Sequence, residues 1–139
     1  MTVDRSPGAL ADREEIRDLA RGYAHCVWQN DPEGAVDLFA ADGVIDLGDR
    51  PRLEGRVAML AEYRKAFRTS AFRPFISQHV IELDGDRATG TCYVDLKAVV
   101  DGIMMVGWGY YEDEYVRVDG RWRIQTRKLN LIHYGPSGG

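Results

Sequence analysis

The sequence predicts one α+β domain in which three N-terminal helices pack on a strongly curved antiparallel sheet and close with it into a cone. Three observations lead there. Apolar residues in the first half recur every three or four positions, whereas from Phe75 onward they alternate with period two. Asp84-Gly85, Asp101-Gly102 and Asp119-Gly120 each fall between β-rich runs, and Asp-Gly is a hairpin signal because both residues tolerate positive φ. The 139 residues, 45% hydrophobic and 29% charged, match the size and balance of one globular core.

Asp12 with Glu15 reads as a capping box at the start of the first helix. Ile16, Leu19, Ala20, Tyr23 and Val27 then make one apolar stripe, and the helix is predicted to reach about Asn30. Asp31 as N-cap and Pro32 at the first helical position restart a shorter helix. Val36, Leu38 and Phe39 anchor it, and Asp42-Gly43 stops it. Val44 to Leu47 reads as a short strand. A third helix, about Arg56 to Arg68, turns Val57, Leu60, Tyr63 and Phe67 inward and ends before Pro74. Four long strands follow, near Phe75–Leu83, Ala88–Val100, Ile103–Val118 and Arg121–Tyr134, as an antiparallel meander. Gly90, Gly107 and Gly109 are places for it to bend. Residues 12–134 thus form the domain, with loose ends at 1–11 and 135–139. A curved sheet closed by helices is hard to fill completely, so a small-molecule pocket is expected.

A net charge of −4, with Lys and Arg scattered among acids, excludes a nucleic-acid footprint and speaks against anionic membranes. Residues 1–8 lack the apolar core of a secretory signal, and no run approaches the ~20 apolar residues of a membrane span. Cys26 and Cys92 lie in periodic apolar segments and read as two buried, reduced thiols of a cytoplasmic protein. His25, His79 and His133 lack short ligand spacing, so no metal site is expected. No dinucleotide fingerprint, phosphate loop or nucleophile elbow occurs, and no cofactor is expected.

Several strings, in this order and spacing, carry a resemblance: Ile16-Arg17-Asp18-Leu19 through Tyr23, Asp37-Leu38-Phe39-Ala40-Ala41-Asp42-Gly43-Val44, Gln78-His79, Asp84-Gly85-Asp86-Arg87-Ala88, and Gly109-Tyr110-Tyr111-Glu112-Asp113 through Trp122-Arg123-Ile124. Over residues 11–134 the chain resembles the SnoaL-like branch of the nuclear transport factor 2-like (NTF2-like) superfamily. That superfamily includes polyketide cyclases, scytalone dehydratase, a dehydrochlorinase, ketosteroid isomerase and limonene epoxide hydrolase, beside non-catalytic binding proteins. The resemblance implies a His–Asp pair in the cone, with the histidine as base. His79 matches the histidine, while Trp28 stands where the aspartate is expected and Trp108 where the dehydratase has a second histidine. It also implies a homodimer formed through the sheet face.

His79 is the first candidate for catalysis, because an imidazole can take a proton near neutral pH. Its parity groups it with Ser77 and Ile81 on the face assigned to the helices. Asp46, on the short first strand, is the candidate replacement acid. Trp28 and Trp108 are expected to shape an apolar cavity. Tyr23, Tyr63, Tyr110, Lys128 and Asn130 are candidate polar contacts, able to hold a developing oxyanion. Tyr110 shares the parity of Trp108, and Asn130 that of Trp122. Asp113 and Arg127 read as a cross-strand ion pair on the opposite face. Two functions fit these residues: a lyase, isomerase or cyclase acting on a small hydrophobic metabolite through His79, or a binding protein that uses the same cone without chemistry.

Overall fold

The computed structural model describes residues 3–138. Helices α1 (Pro7–Trp28), α2 (Pro32–Asp37) and α3 (Arg56–Thr69) pack on a curved six-stranded sheet that does not close. Its strands are β1 (Phe39–Asp46), β2 (Leu53–Glu54), β3 (Ser70–Asp84), β4 (Arg87–Val100), β5 (Ile103–Val118) and β6 (Arg121–Pro136), in the order β2-β1-β6-β5-β4-β3. The long strands form the expected antiparallel meander, but β1 lies parallel to β6, so the sheet is mixed.

Regular structure extends beyond residues 12–134 at both ends. Ser6, not Asp12, caps α1 by accepting from the Ala9 amide, with Pro7 in the first turn. Asp12 and Glu15 instead tie α1 to the sheet: Asp12 accepts from Arg117 and the Trp122 indole, and Glu15 accepts from the Trp122 amide at 2.7 Å. At the other end β6 continues through Gly135 to Pro136, with Ser137 N donating to Met104 O. Of the expected loose ends, Met1, Thr2 and Gly139 lie outside the described residues.

Helix α2 begins as predicted, with Asp31 accepting from Gly34 N, but it stops at Asp37 and Phe39 already opens β1. In α3 the inward residues include Met59 and Tyr63, whereas Val57 in the first turn faces solvent. Strand β3 starts five residues before Phe75, running through Pro74. A proline is tolerated there because β3 is the sheet edge, where a missing N–H breaks no ladder bond. Trp28 folds over this edge: its indole N–H donates to Pro74 O at 2.7 Å and its ring meets Phe75 edge-on. The edge is thereby protected from pairing with another chain.

The core lies between α1, α3 and one face of the sheet. Ile16, Leu19, Ala20, Tyr23 and Val27 from α1 meet Cys92, Val94, Tyr111, Tyr115, Trp122 and Ile124. Cys92 is buried; Cys26 is only partly so. No helix among the described residues is long and apolar enough to cross a membrane.

Candidate functional site

Three bulges decide which side chains face the helices. Gln78, at φ 33°, is the extra residue between Ser77 and His79. It shifts the alternation by one, so Ile76 faces the core before it and His79, Ile81 and Leu83 after it. His79 therefore points inward as expected, but Ser77 and Phe75 point out. On β6 the register slips near Gln125 and again near Ile132. Trp122 and Ile124 face the core, then Arg127 and Leu129 do. The parity carried from Trp122 to Asn130 is broken by the first slip, and Asn130 lies on the outer face, donating to Glu112.

Inside the cone His79 Nε2 lies 2.8 Å from the Tyr115 hydroxyl, which donates to Asp113 Oδ2 at 2.7 Å. Arg127 grips the same carboxylate with two hydrogen bonds of 2.9 Å, and both side chains are fully buried. The Arg127–Asp113 pair is thus cross-strand, as predicted, but on the helix side of the sheet, not the opposite one. The guanidinium stacks on Tyr111, 3.9 Å from its ring centre, and leans over Tyr23. Its Nη1 is buried with no hydrogen-bond partner. Tyr23 and Tyr63, from α1 and α3, share a 2.6 Å hydrogen bond beside it.

Burial dominates the electrostatics. It pushes the His79 pKa down to about 4; Asp113 opposes the shift, and Arg127, Arg17 and Arg21 add to it. The imidazole is therefore neutral at physiological pH, with a lone pair on one ring nitrogen, and the same burial makes it a weaker base than an exposed histidine. Burial also drives the Tyr115 hydroxyl well up, with the Asp113 charge adding to it, and raises Tyr23, Tyr63 and Tyr111 likewise. These phenols keep their protons. The Cys92 thiol, beside His79 in the β3–β4 pairing, is raised to about 11 by burial and is no nucleophile.

The remaining predicted residues lie elsewhere. Asp46 sits on the outer face beside Lys128 and accepts from the Gly48 amide, so it cannot serve His79. Trp108 and Tyr110 also face outward, because β5 presents its odd residues to the helices. Trp108 stacks on His133, and with Tyr93, Tyr110 and Ile132 it lines an open groove of about 430 Å³. Trp28 caps the sheet edge instead of lining the interior. Of the expected set, His79, Tyr23 and Tyr63 come together. Tyr111, Asp113, Tyr115 and Arg127 join them. A signal for these was present: Glu112 and Glu114 share the parity of Trp108, and two carboxylates spaced by two mark a solvent face. Among the described residues no three His, Cys, Asp or Glu side chains gather as a metal-ion cluster.

Helices closing a curved sheet over a histidine and a buried polar chain define an NTF2-like protein. The chain belongs to the SnoaL-like domain family, whose pattern it matches over residues 8–128. No protein of curated function matches it. Among solved structures it is similar to Rv3472 of Mycobacterium tuberculosis, a protein of unknown function, at 25% identity and TM-score 0.82, covering 94% of this chain and 78% of that one. It is also similar to a scytalone dehydratase-like protein of Novosphingobium aromaticivorans, at 20% identity and TM-score 0.83, over 94% and 90% of the chains. A third is the type-3 hexachlorocyclohexane dehydrochlorinase of Novosphingobium barchaimii, at 18% identity and TM-score 0.84, over 94% and 92%.

Proposed function

We propose that this protein is a lyase, isomerase or cyclase that needs no cofactor and moves a proton on a small, hydrophobic carbonyl compound with His79 as the base. The observation that carries the reading is the 2.8 Å contact of a neutral His79 with Tyr115, inside the cone and backed by Asp113. Removing a proton beside a carbonyl creates an enolate, and the unpartnered Arg127 Nη1 with the Tyr23–Tyr63 hydroxyls supplies donors for its oxygen. Dehydratase- and dehydrochlorinase-type neighbours on the same fold support elimination as the chemical class, and polyketide-cyclase chemistry begins with the same proton removal. The test is deuterium uptake next to the carbonyl of 1-indanone and 2-tetralone in D2O, followed by NMR. Uptake abolished by His79→Gln supports the reading; uptake that ignores the substitution overturns it.

A second reading, a binding protein without turnover, is favoured by one specific observation: Trp28, which the resemblance sets where the acid is expected, lies against Pro74 and Phe75 and seals the sheet edge. It predicts that indanone binds, without exchange, equally well to wild type and His79→Gln.

The outer face suggests a partner. Phe75, Val80, Tyr93, Trp108 and Ile132 are exposed on four adjacent strands, an apolar surface that a second copy would cover. We assign a homodimer through this face, and a reducing, cytoplasmic setting for the two free thiols. Sedimentation showing a wild-type dimer that Trp108→Glu converts to monomer supports the dimer. A wild-type monomer at micromolar concentration overturns it.

A further inference from the structure

We infer that Tyr115 and Asp113 set the tautomer of His79 and so select Nδ1 as its basic atom. The inference rests on the reading of His79 as a base and names which ring nitrogen does the work.

The number of protons available fixes the direction of each bond. Asp113 accepts from Arg127 at both oxygens, Nε on Oδ1 and Nη2 on Oδ2, and Oδ2 also faces the Tyr115 hydroxyl. A carboxylate in that setting has only lone pairs to offer. The phenol has one proton, which burial and the Asp113 charge hold on it, and it donates that proton to Oδ2 at 2.7 Å. What remains on the Tyr115 oxygen toward His79 is a lone pair. For the 2.8 Å contact to be a hydrogen bond, His79 Nε2 must carry the hydrogen.

The opposite arrangement has Tyr115 donating to Nε2 and turned away from Asp113. It exchanges a charge-assisted O–H···O⁻ bond for a neutral one roughly half as strong. It also leaves a buried carboxylate one donor short. The observed chain is therefore the favoured one. Neutral His79 then presents a lone pair at Nδ1, which makes no hydrogen bond among the described residues. The other groups that bear on the ring are Cys92 across the β3–β4 pairing, Arg127 behind Asp113, and Arg17 and Arg21 on α1. None of these is hydrogen-bonded to Nδ1.

The step balances within the protein and substrate. Nδ1 takes the proton from the carbon beside the carbonyl, and the electron pair of that C–H bond becomes the enolate. The imidazolium keeps its Nε2–H on Tyr115, where the Asp113 charge, relayed through the hydroxyl, stabilises it. Nδ1 then returns the proton to another carbon or to a leaving group. The relay acts through His79, so Tyr115 and Asp113 are positioning residues and not catalytic ones.

Nitrogen-15 NMR of the imidazole tests this on the whole protein with no substrate, since protonated and unprotonated ring nitrogens resonate far apart. Wild-type protein at pH 7 is expected to show His79 with a protonated Nε2 and a bare Nδ1. Tyr115→Phe keeps the ring that fills the core and removes only the hydroxyl. It is expected to collapse this pattern toward a mixture of tautomers and to slow indanone exchange at least about tenfold. A protonated Nδ1 in wild type, or a pattern unchanged in Tyr115→Phe, overturns the inference. The two readings fail separately. Exchange that depends on His79 together with the wrong tautomer sinks the relay and keeps the base. The inferred tautomer together with exchange indifferent to His79→Gln keeps the relay geometry but removes its catalytic meaning, and with it the positioning role.

Discussion

Tyr115 and His79 come from strands that are not neighbours, β5 and β3, and their side chains meet at 2.8 Å across β4, over the face of Gly90. A Cβ at position 90 would stand 3.0 Å from the Tyr115 ring, so glycine there makes the room through which the phenol reaches the imidazole. The contact joins the hydrophobic core to the one histidine among the described residues that faces it, and it makes stability and pH interdependent.

That dependence has a definite sign. His79 has an ordinary value of 6.5 and is lowered by burial to about 4 in the fold. Between those values the unfolded chain binds more protons, so stability is complete above about pH 6.5 and is lost as pH falls toward 4. Because the ring is partly exposed, the loss is discounted to about 1–2 kcal/mol. Urea unfolding at pH 7 and pH 4.5 should show this loss in wild type and a smaller one in His79→Gln. Equal losses in the two proteins would refute the burial argument.

The Asp113–Arg127 pair is fully buried, and removing one charge strands the other. Asp113→Asn is expected to lower stability by about 3–5 kcal/mol. The double variant Asp113→Leu with Arg127→Met removes both charges and should recover a large part of the loss. Chemical denaturation of the single and double variants decides it; additive losses would mean the pair is not the unit described.

Gly109 faces the β6 irregularity beside Trp108, and a Cβ there would run into the Asn130 carbonyl oxygen. Gly109→Ala must push β5 and β6 apart and should cost at least about 2 kcal/mol. Gly85→Ala, where a Cβ meets nothing but the turn needs φ 62°, should cost only about 1 kcal/mol. Thermal melts that rank the two in the opposite order would count against the close approach.

At the sheet edge, Trp28→Phe deletes the indole donor to Pro74 O and keeps most of the ring. A loss of about 1 kcal/mol is expected. Amide hydrogen exchange should also quicken along the first half of β3, near Phe75 and Ile76. Unchanged protection there would show that the indole does not hold the edge.

Much of this architecture was legible from residue order. The change of period near Phe75 and the Asp-Gly pairs located the meander because positive φ is a local demand. Asp101-Gly102 and Asp119-Gly120 both take it at each residue, while the first turn moved one position, to Gly85-Asp86, with only Gly85 at positive φ. Less legible was where elements end. Phe39, which the spacing makes an anchor of the second helix, instead starts β1, because pairing with Ile124 on β6 outweighs the local helical spacing.

What residue order determined on its own was the class of fold, the family and the helical stripes that turn Tyr23 and Tyr63 inward, since each depends on local periodicity or a recognisable string. Which face each strand turns to the helices was decided only in three dimensions. A single bulge at Gln78 or Gln125 reverses every later side chain, and a bulge is a property of two paired strands, not of one. The partner of His79 was decided there too. Tyr115 lies thirty-six residues away and two strands over, and only the folded sheet brings its hydroxyl, and the Asp113 carboxylate behind it, to the imidazole.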